Sequence, residues 1–204
     1  MIAVIDYGMG NLRSVEKALE SLGADVEVVS DAERLGLSDK IVVPGVGAFK
    51  DTIEGMESRG LRRVIGEFID SGKPYLGICM GYQALFDESQ EGGSNKGLGI
   101  LKGRVKRFQS NNDRKVPHMG WNQLRIVGNG KDCPLLNGIA DGSYFYFVHS
   151  YYVESKDSGI VACTTDYGID FASMIWKDNM FAVQFHPEKS QENGLRMLKN
   201  FIDL

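Results

Sequence analysis

Residues 73–86 read KPYLGICMGYQALF. An apolar run, Pro74-Tyr75-Leu76, leads into Gly77-Ile78-Cys79-Met80-Gly81, and an amphipathic run follows at once. A turn that lifts one side chain above a sheet brings the residues two before and two after it into close approach, so glycine is favoured at both. The spacing G-x-C-x-G is that of the nucleophile elbow, known with serine as G-x-S-x-G. It predicts a strand over PYLGIC and a helix over YQALFDES. A cysteine at a helix N-terminus feels the macrodipole, which favours an anion, and thiol pKa values fall to ~3.5–7.5 in such settings from ~8.5 when free. The Met80 N–H would face an oxyanion formed on attack. A cysteine can equally be a small buried hydrophobe. That is the better reading for Cys163, in the apolar run GIVACTT, and for Cys133 beside Pro134.

Working outward, the first ninety residues alternate in period. IAVIDYG, DVEVVS and KIVVPGVGAF have strand character. NLRSVEKALESLGA carries Leu12, Val15, Leu19 and Leu22 at helical spacing, with Gly23 as a stop, and LRRVIGEFIDSGK carries Leu61, Val64, Ile65, Phe68 and Ile69 on one face. Strand–helix alternation argues for a parallel sheet with helices on both faces. Further on, YFYFVHSYYV, GIVACTT and FASMIWKDNMFAVQFHPE read as strands, with Asp178-Asn179 as a hairpin turn. Residues 87–97 and 128–132 read as polar, Gly-rich loops. SQENGLRMLKNFIDL closes the sequence as a helix, with Ser190 as N-cap and Leu195, Leu198, Phe201 and Ile202 inward. The expectation is an α/β fold with an antiparallel flank, one domain over residues 1–204.

Composition narrows the function classes. The 204 residues carry a net charge of −4 and no long Lys/Arg run, which argues against nucleic acid as a partner. Apolar stretches are strand-sized, so no membrane span is expected. MIAVIDYG enters a strand directly and lacks signal-peptide features, so cytoplasm is the expected compartment. Three cysteines with no C-x-x-C pair argue against a disulfide framework or a metal site. No cofactor is expected.

With three histidines in the chain (His118, His149 and His186), a base for Cys79 has few candidates. FAVQFHPEKS offers His186 and Glu188, two apart. Pro187 fixes its own φ and pushes His186 toward an extended conformation, and extended residues i and i+2 point the same way. Glu188 would then hold the ring tautomer and stabilise the imidazolium. Alone, His-Pro-Glu reads as a solvated strand end; beside G-x-C-x-G the pair reads as catalytic. VVPGVGAF ends a strand in a Gly-rich turn that exposes N–H groups, and a donor from Val46 or Gly47 would join the Met80 N–H in an oxyanion hole.

The start of the chain imitates a dinucleotide-binding fingerprint, with Gly8-x-Gly10 after a strand and Asp31 after a second one. The third glycine position is Arg13, too bulky for close helix–strand packing, so this reading ranks low. A free-standing cysteine hydrolase and a non-catalytic binding subunit are further alternatives.

Taken together, PGVGAF, GICMGYQALF and FHPEKS resemble the class I glutamine amidotransferases. DYGMGNLRSV, PHMGWN (117–122) and YFVHSYYV narrow the resemblance to glutaminase subunits that serve a (β/α)8-barrel synthase in histidine biosynthesis. A similar subunit feeding a barrel synthase in sugar modification stays open. The resemblance covers the whole chain. It implies a flavodoxin-like fold with a central, mostly parallel sheet, flanking helices and an antiparallel flank. It implies glutamine hydrolysis through a γ-glutamyl thioester, with Cys79 as nucleophile, His186 as general base and acid, and Glu188 as its orienter. Gly45, Val46, Gly47 and Met80 would form the oxyanion hole. Gln83, Glu91 and the backbone of Ser150 and Tyr151 would hold glutamine, with His149 near the site. His118, Met119, Gly120, Trp121 and Asn122 would belong to a docking loop for the barrel partner, to which ammonia passes through a tunnel.

Overall fold

The computed structural model describes residues 1–9, 11–110 and 114–204; Gly10 of the dinucleotide-like pattern lies outside the described residues. The chain runs β1 (Ile2–Ile5), α1 (Leu12–Ser21), β2 (Val26–Val29), α2 (Ala32–Gly36), β3 (Lys40–Val43), α3 (Phe49–Ser58), α4 (Leu61–Asp70), β4 (Tyr75–Ile78) and α5 (Met80–Gln83). It continues with β5 (Phe86–Ser89), β6 (Asn95–Lys96), β7 (Leu101–Arg107), β8 (His118–Gln123), β9 (Arg125–Ile126), β10 (Tyr144–His149) and β11 (Tyr151–Ser155). Then come β12 (Val161–Asp166), β13 (Asp170–Lys177), β14 (Met180–Val183) and α6 (Gln191–Ile202).

The main sheet has the order β2-β1-β3-β4-β14-β13-β11-β7-β5-β6. From β2 to β14 every neighbour is parallel. From β14 through β13 and β11 to β7 the pairing is antiparallel. Apart from its half-exposed edge strand β2, the parallel half is buried on both faces, which is why β1, β4 and most of β3 are continuous apolar runs rather than alternating ones. Helix α4 buries Leu61, Val64, Ile65 and Phe68, the i, i+3, i+4, i+7 stripe of an amphipathic helix. The expected hairpin at Asp178-Asn179 joins β13 to β14, with Asp178 at φ 52°. Among the described residues, no helix is long and apolar enough to cross a membrane.

Several expectations are corrected. YQALFDES is not one helix: α5 stops after a single turn and Phe86–Ser89 is a strand. The carbonyls of Ala84, Leu85 and Phe86, which a longer helix would use, accept instead from the N–H groups of Leu98, Leu101 and Gly99. Tertiary partners thus override a helical pattern. YFYFVHSYYV breaks at Ser150 into β10, paired with β8, and β11, paired with β7 and β13. PHMGWN is not a loop, because His118–Gln123 is the strand β8. Residues 87–97 contain the end of β5 and all of β6, and Gly128–Asp132 is a 3-10 turn. In α6, Met197, Leu198 and Phe201 are buried while Leu195 faces outward. Ser190 stands before α6 without capping it: its hydroxyl accepts from the Tyr146 N–H at 3.0 Å and donates to the His186 carbonyl at 2.6 Å.

The strand order sets the site. β3, β4 and β14 are neighbours and parallel, so their carboxyl ends open on one edge. Gly45 follows β3, Cys79 follows β4, and His186 follows β14. Ligands of open α/β sheets bind outside such carboxyl ends.

Candidate active site

Cys79 occupies the turn between β4 and α5 at φ 54°, ψ −101°, a conformation that L-residues adopt only when the surroundings impose it. The glycines on either side explain how. A Cβ at Gly77 would stand 2.7 Å from the Gly81 carbonyl oxygen, and one at Gly81 would collide with the Val43 carbonyl. The turn is closed by the Cys79 N–H donating to the Val183 carbonyl at 2.8 Å and by the Gln83 N–H donating to the Cys79 carbonyl at 3.0 Å. With only one helical turn behind the sulfur, the macrodipole is a small contributor, and specific donors matter more.

His186 and Glu188 are both buried, with side chains 2% and 1% exposed, and Nδ1 of the ring lies 2.8 Å from Oε1 of the carboxylate. The extended geometry expected for the pair holds only for His186, at φ −107° and ψ 95°. Pro187–Lys189 is a 3-10 turn, and that turn folds the carboxylate back onto the ring. An ionised carboxylate only accepts, so Nδ1 carries the proton. Burial lowers the basicity of the imidazole, but the charge of Cys79 and the hydrogen-bonded carboxylate of Glu188 outweigh it and push the ring up to about 10. Nε2 nevertheless makes no hydrogen bond of ordinary geometry and is buried without a partner. Such bonds tighten when substrate binds. The backbone of β10 braces this turn, with the His186 N–H donating to the Tyr146 carbonyl at 2.9 Å.

The Gly45 carbonyl accepts a long hydrogen bond, 3.5 Å, from the Met80 N–H. Because the Gly45–Val46 peptide is trans and planar, the Val46 N–H points away from Met80. Of the expected oxyanion donors, the Met80 N–H therefore faces a carbonyl oxygen, and Val46 is turned outward. Gly45 is pinned by its neighbours: a Cβ there would strike the Tyr7 hydroxyl and stand 2.5 Å from Cβ of Met80. Tyr7, which composition and spacing did not single out, donates its hydroxyl to the Pro44 carbonyl at 2.7 Å.

A cleft of about 320 Å³ brings the remaining expectations together. It is lined by Val46, Gly47, Cys79, Met80, Gln83, Glu91, His149, Ser150 and Tyr151, with Pro117 and Val148. Glu91 accepts from the Phe49 N–H at the start of α3 at 2.8 Å. Gln83 donates Nε2 to the Tyr151 carbonyl at 3.2 Å and to Oε1 of Gln184 at 2.9 Å. The same Tyr151 carbonyl accepts from Nδ1 of His149 at 2.7 Å.

The expected docking residues divide. Met119 and Trp121 are 63% and 46% exposed on β8, and Gly120 lies between them. His118 is instead buried, stacked between Tyr167 and Phe147, and Asn122 turns inward to bond the Asp166 carbonyl at 2.9 Å. Period 2 along β8 sends these two sets to opposite faces. Gln184 is a further residue at the site. It is wholly buried, and its Nε2 donates to the Cys79 sulfur at 3.6 Å. The signal was there, as an amide inside the apolar run FAVQF, since a buried amide needs partners.

The fold and this cleft define a glutamine amidotransferase. The chain matches the family described as glutamine amidotransferase class-I over residues 3–204 and belongs to it. Its relatives include the protein named imidazole glycerol phosphate synthase subunit HisH of Acinetobacter baylyi, 51% identical over 99% of this chain and 97% of that one. The HisH of Syntrophotalea carbinolica is 49% identical over 100% of both chains. Among solved structures, PurLQS from Thermotoga maritima superposes with a TM-score of 0.77 at 21% identity, covering 99% of this chain and 97% of that one; at that identity the likeness is of fold.

Proposed function

We propose that this chain is the glutaminase subunit of imidazole glycerol phosphate synthase, a single amidotransferase domain that hydrolyses L-glutamine and delivers ammonia to a (β/α)8-barrel partner in the cytoplasm. The observation that carries this reading is a strained cysteine lining the cleft after β4, with a buried His–Glu pair after the adjacent parallel strand β14. The full-length identity of about half to HisH proteins supports the choice of pathway.

In this reading each group has a task. The Cys79 thiolate attacks the γ-carbonyl carbon of glutamine, and charge develops on its oxygen. Protonated His186 gives its proton to the departing nitrogen, so ammonia leaves and a γ-glutamyl thioester remains. Neutral His186 then takes a proton from water as it attacks the thioester, which releases glutamate and restores the thiolate–imidazolium pair. Glu188 keeps the ring in the tautomer that aims Nε2 at the reaction and stabilises its cationic form. Gln83, Glu91, His149, Ser150 and Tyr151 line the space for the glutamine backbone.

The oxyanion hole needs donors, and the Gly45 carbonyl stands where one is required. Rotation of the Gly45–Val46 peptide would exchange that carbonyl for the Val46 N–H, a change that glycine tolerates. The subunit alone should therefore be nearly inactive, and a synthase carrying its ligand should switch it on. Met119 and Trp121 offer the partner an apolar anchor, a role in which Trp is enriched. Ammonia must stay out of bulk water, where protonation ends its nucleophilicity, so a dry passage between subunits follows from the chemistry.

The test uses the complex of this chain with its barrel synthase. Cys79→Ala should abolish synthesis from glutamine and leave synthesis from added ammonium salts intact, because the acceptor chemistry lies in the other chain. Loss of both, or retention of both, would overturn the assignment.

A further inference from the structure

Gln184 sits between β14 and His186, with no exposed surface. Its amide could in principle stand either way round, and the surrounding bonds decide which. The Tyr151 carbonyl only accepts. It takes one proton from Nδ1 of His149 and one from Nε2 of Gln83. Gln83 therefore presents its NH2 group on that side, and its second N–H meets Gln184. Gln184 must answer with its oxygen, which leaves its nitrogen facing the Cys79 sulfur at 3.6 Å. One carbonyl thus fixes a hydrogen-bond donor two side chains away.

We propose that Gln184 is a positioning residue for the nucleophile: its amide N–H orients and stabilises the Cys79 thiolate, and Gln83 holds that amide the right way round. The inference rests on the reading of Cys79 as nucleophile and deepens it. An anion in a buried site is costly without donors, and hydrogen bonds to ionised acceptors are roughly twice as strong as neutral ones. The donor therefore favours thiolate over thiol. In the structure, the buried Nε2 of His186 makes no bond of its own to the sulfur, whereas the Gln184 amide does. Gln184 can thus hold the sulfur in place before substrate draws the imidazole in.

The same carbonyl has a second branch. His149 has its proton on Nδ1, so its Nε2 accepts from Nδ1 of His118 at 2.9 Å. Nε2 of His118 in turn accepts from Nδ2 of Asn122 at 3.2 Å. Asn122 follows Trp121 on β8. A single chain of bonds therefore runs from the strand carrying the exposed Met119 and Trp121 to the sulfur.

The test is the pH dependence of Cys79 alkylation by iodoacetamide in the full chain without glutamine, followed by peptide mapping. Gln184→Glu turns an oxygen toward the sulfur. It should raise the inflection by roughly one unit and cut the rate near neutral pH about tenfold or more. Gln83→Leu leaves Gln184 in place but frees its amide to turn, and should produce a shift of the same sign, about a few-fold in rate. A role confined to packing would lower stability without moving the inflection. If Gln184→Glu does not fold, Gln83→Leu carries the test alone, and an unmoved inflection in the folded variants overturns the proposal. Glutamine hydrolysis surviving in Cys79→Ala would instead bring down the reading of the site, whatever these variants do.

Discussion

Two buried histidine sites in one small protein are driven in opposite directions. His186 has a carboxylate on one nitrogen and the cysteine nearby, and its pKa is pushed up to about 10. His149 and His118 sit among aromatic rings and neutral acceptors, and burial lowers them to about 3 and about 4. Both sites are buried. The partner decides the outcome: a formal negative charge reverses what desolvation would do, while a carbonyl does not. The first site is a buried pair that favours the imidazolium. The second is a neutral pair whose protons are fixed in place, suited to holding geometry between β8 and the cleft.

The comparison can be broken most sharply at Glu188. Glu188→Gln keeps the shape and removes the charge. Glutamine turnover in the complex should fall by on the order of 10²–10⁴-fold, with ammonium-driven synthesis untouched. The stability profile should change as well. A histidine raised in the folded state contributes stability that is fully present below the unfolded value of about 6.5 and is lost as pH rises through about 10. The alkaline decline expected in chemical denaturation of the parent should therefore be partly lost in the variant. An unchanged alkaline limb would mean that Glu188 does not hold the imidazolium.

A smaller effect sharpens the other side. For His118 and His149 the sign is reversed, because the unfolded chain binds protons more readily. Stability should fall as pH drops from about 6.5 toward the folded values near 4 and 3. His118→Asn keeps a donor for His149 and removes one titrating group. Its denaturation midpoint should decline less steeply between pH 6.5 and 4 than the parent's, with a cost near neutrality of about 1 kcal/mol for the poorer geometry. A decline as steep as the parent's would show that this pair does not govern the acid limb.

How much of this was legible depends on where each element's hydrogen bonds go. The inner strands of the parallel half were legible because they are buried on both faces and read as near-continuous apolar runs. The elbow was legible because two glycines at fixed offsets meet a backbone contact that no side chain survives. The extent of α5 was not. Tyr82, Ala84 and Leu85 suit a helix, but the carbonyls that would continue it are taken by residues more than ten positions on. The split of PHMGWN into an exposed and a buried face was legible only once β8 was known to be a strand, since a loop has no alternating faces. The direction of the Gly45 peptide and the amide of Gln184 leave no periodic trace. Each is set by a single carbonyl or donor brought in from another element.

The most direct measurement is covalent trapping in the synthase complex with a chloroketone analogue of glutamine, read by peptide mass analysis alongside residual turnover. Label should build up on Cys79 in step with loss of glutamine-driven synthesis, leaving Cys133 and Cys163 unmodified and ammonium-driven synthesis intact. Modification elsewhere, or full turnover with Cys79 completely labelled, would contradict a thiolate served by His186 and Glu188.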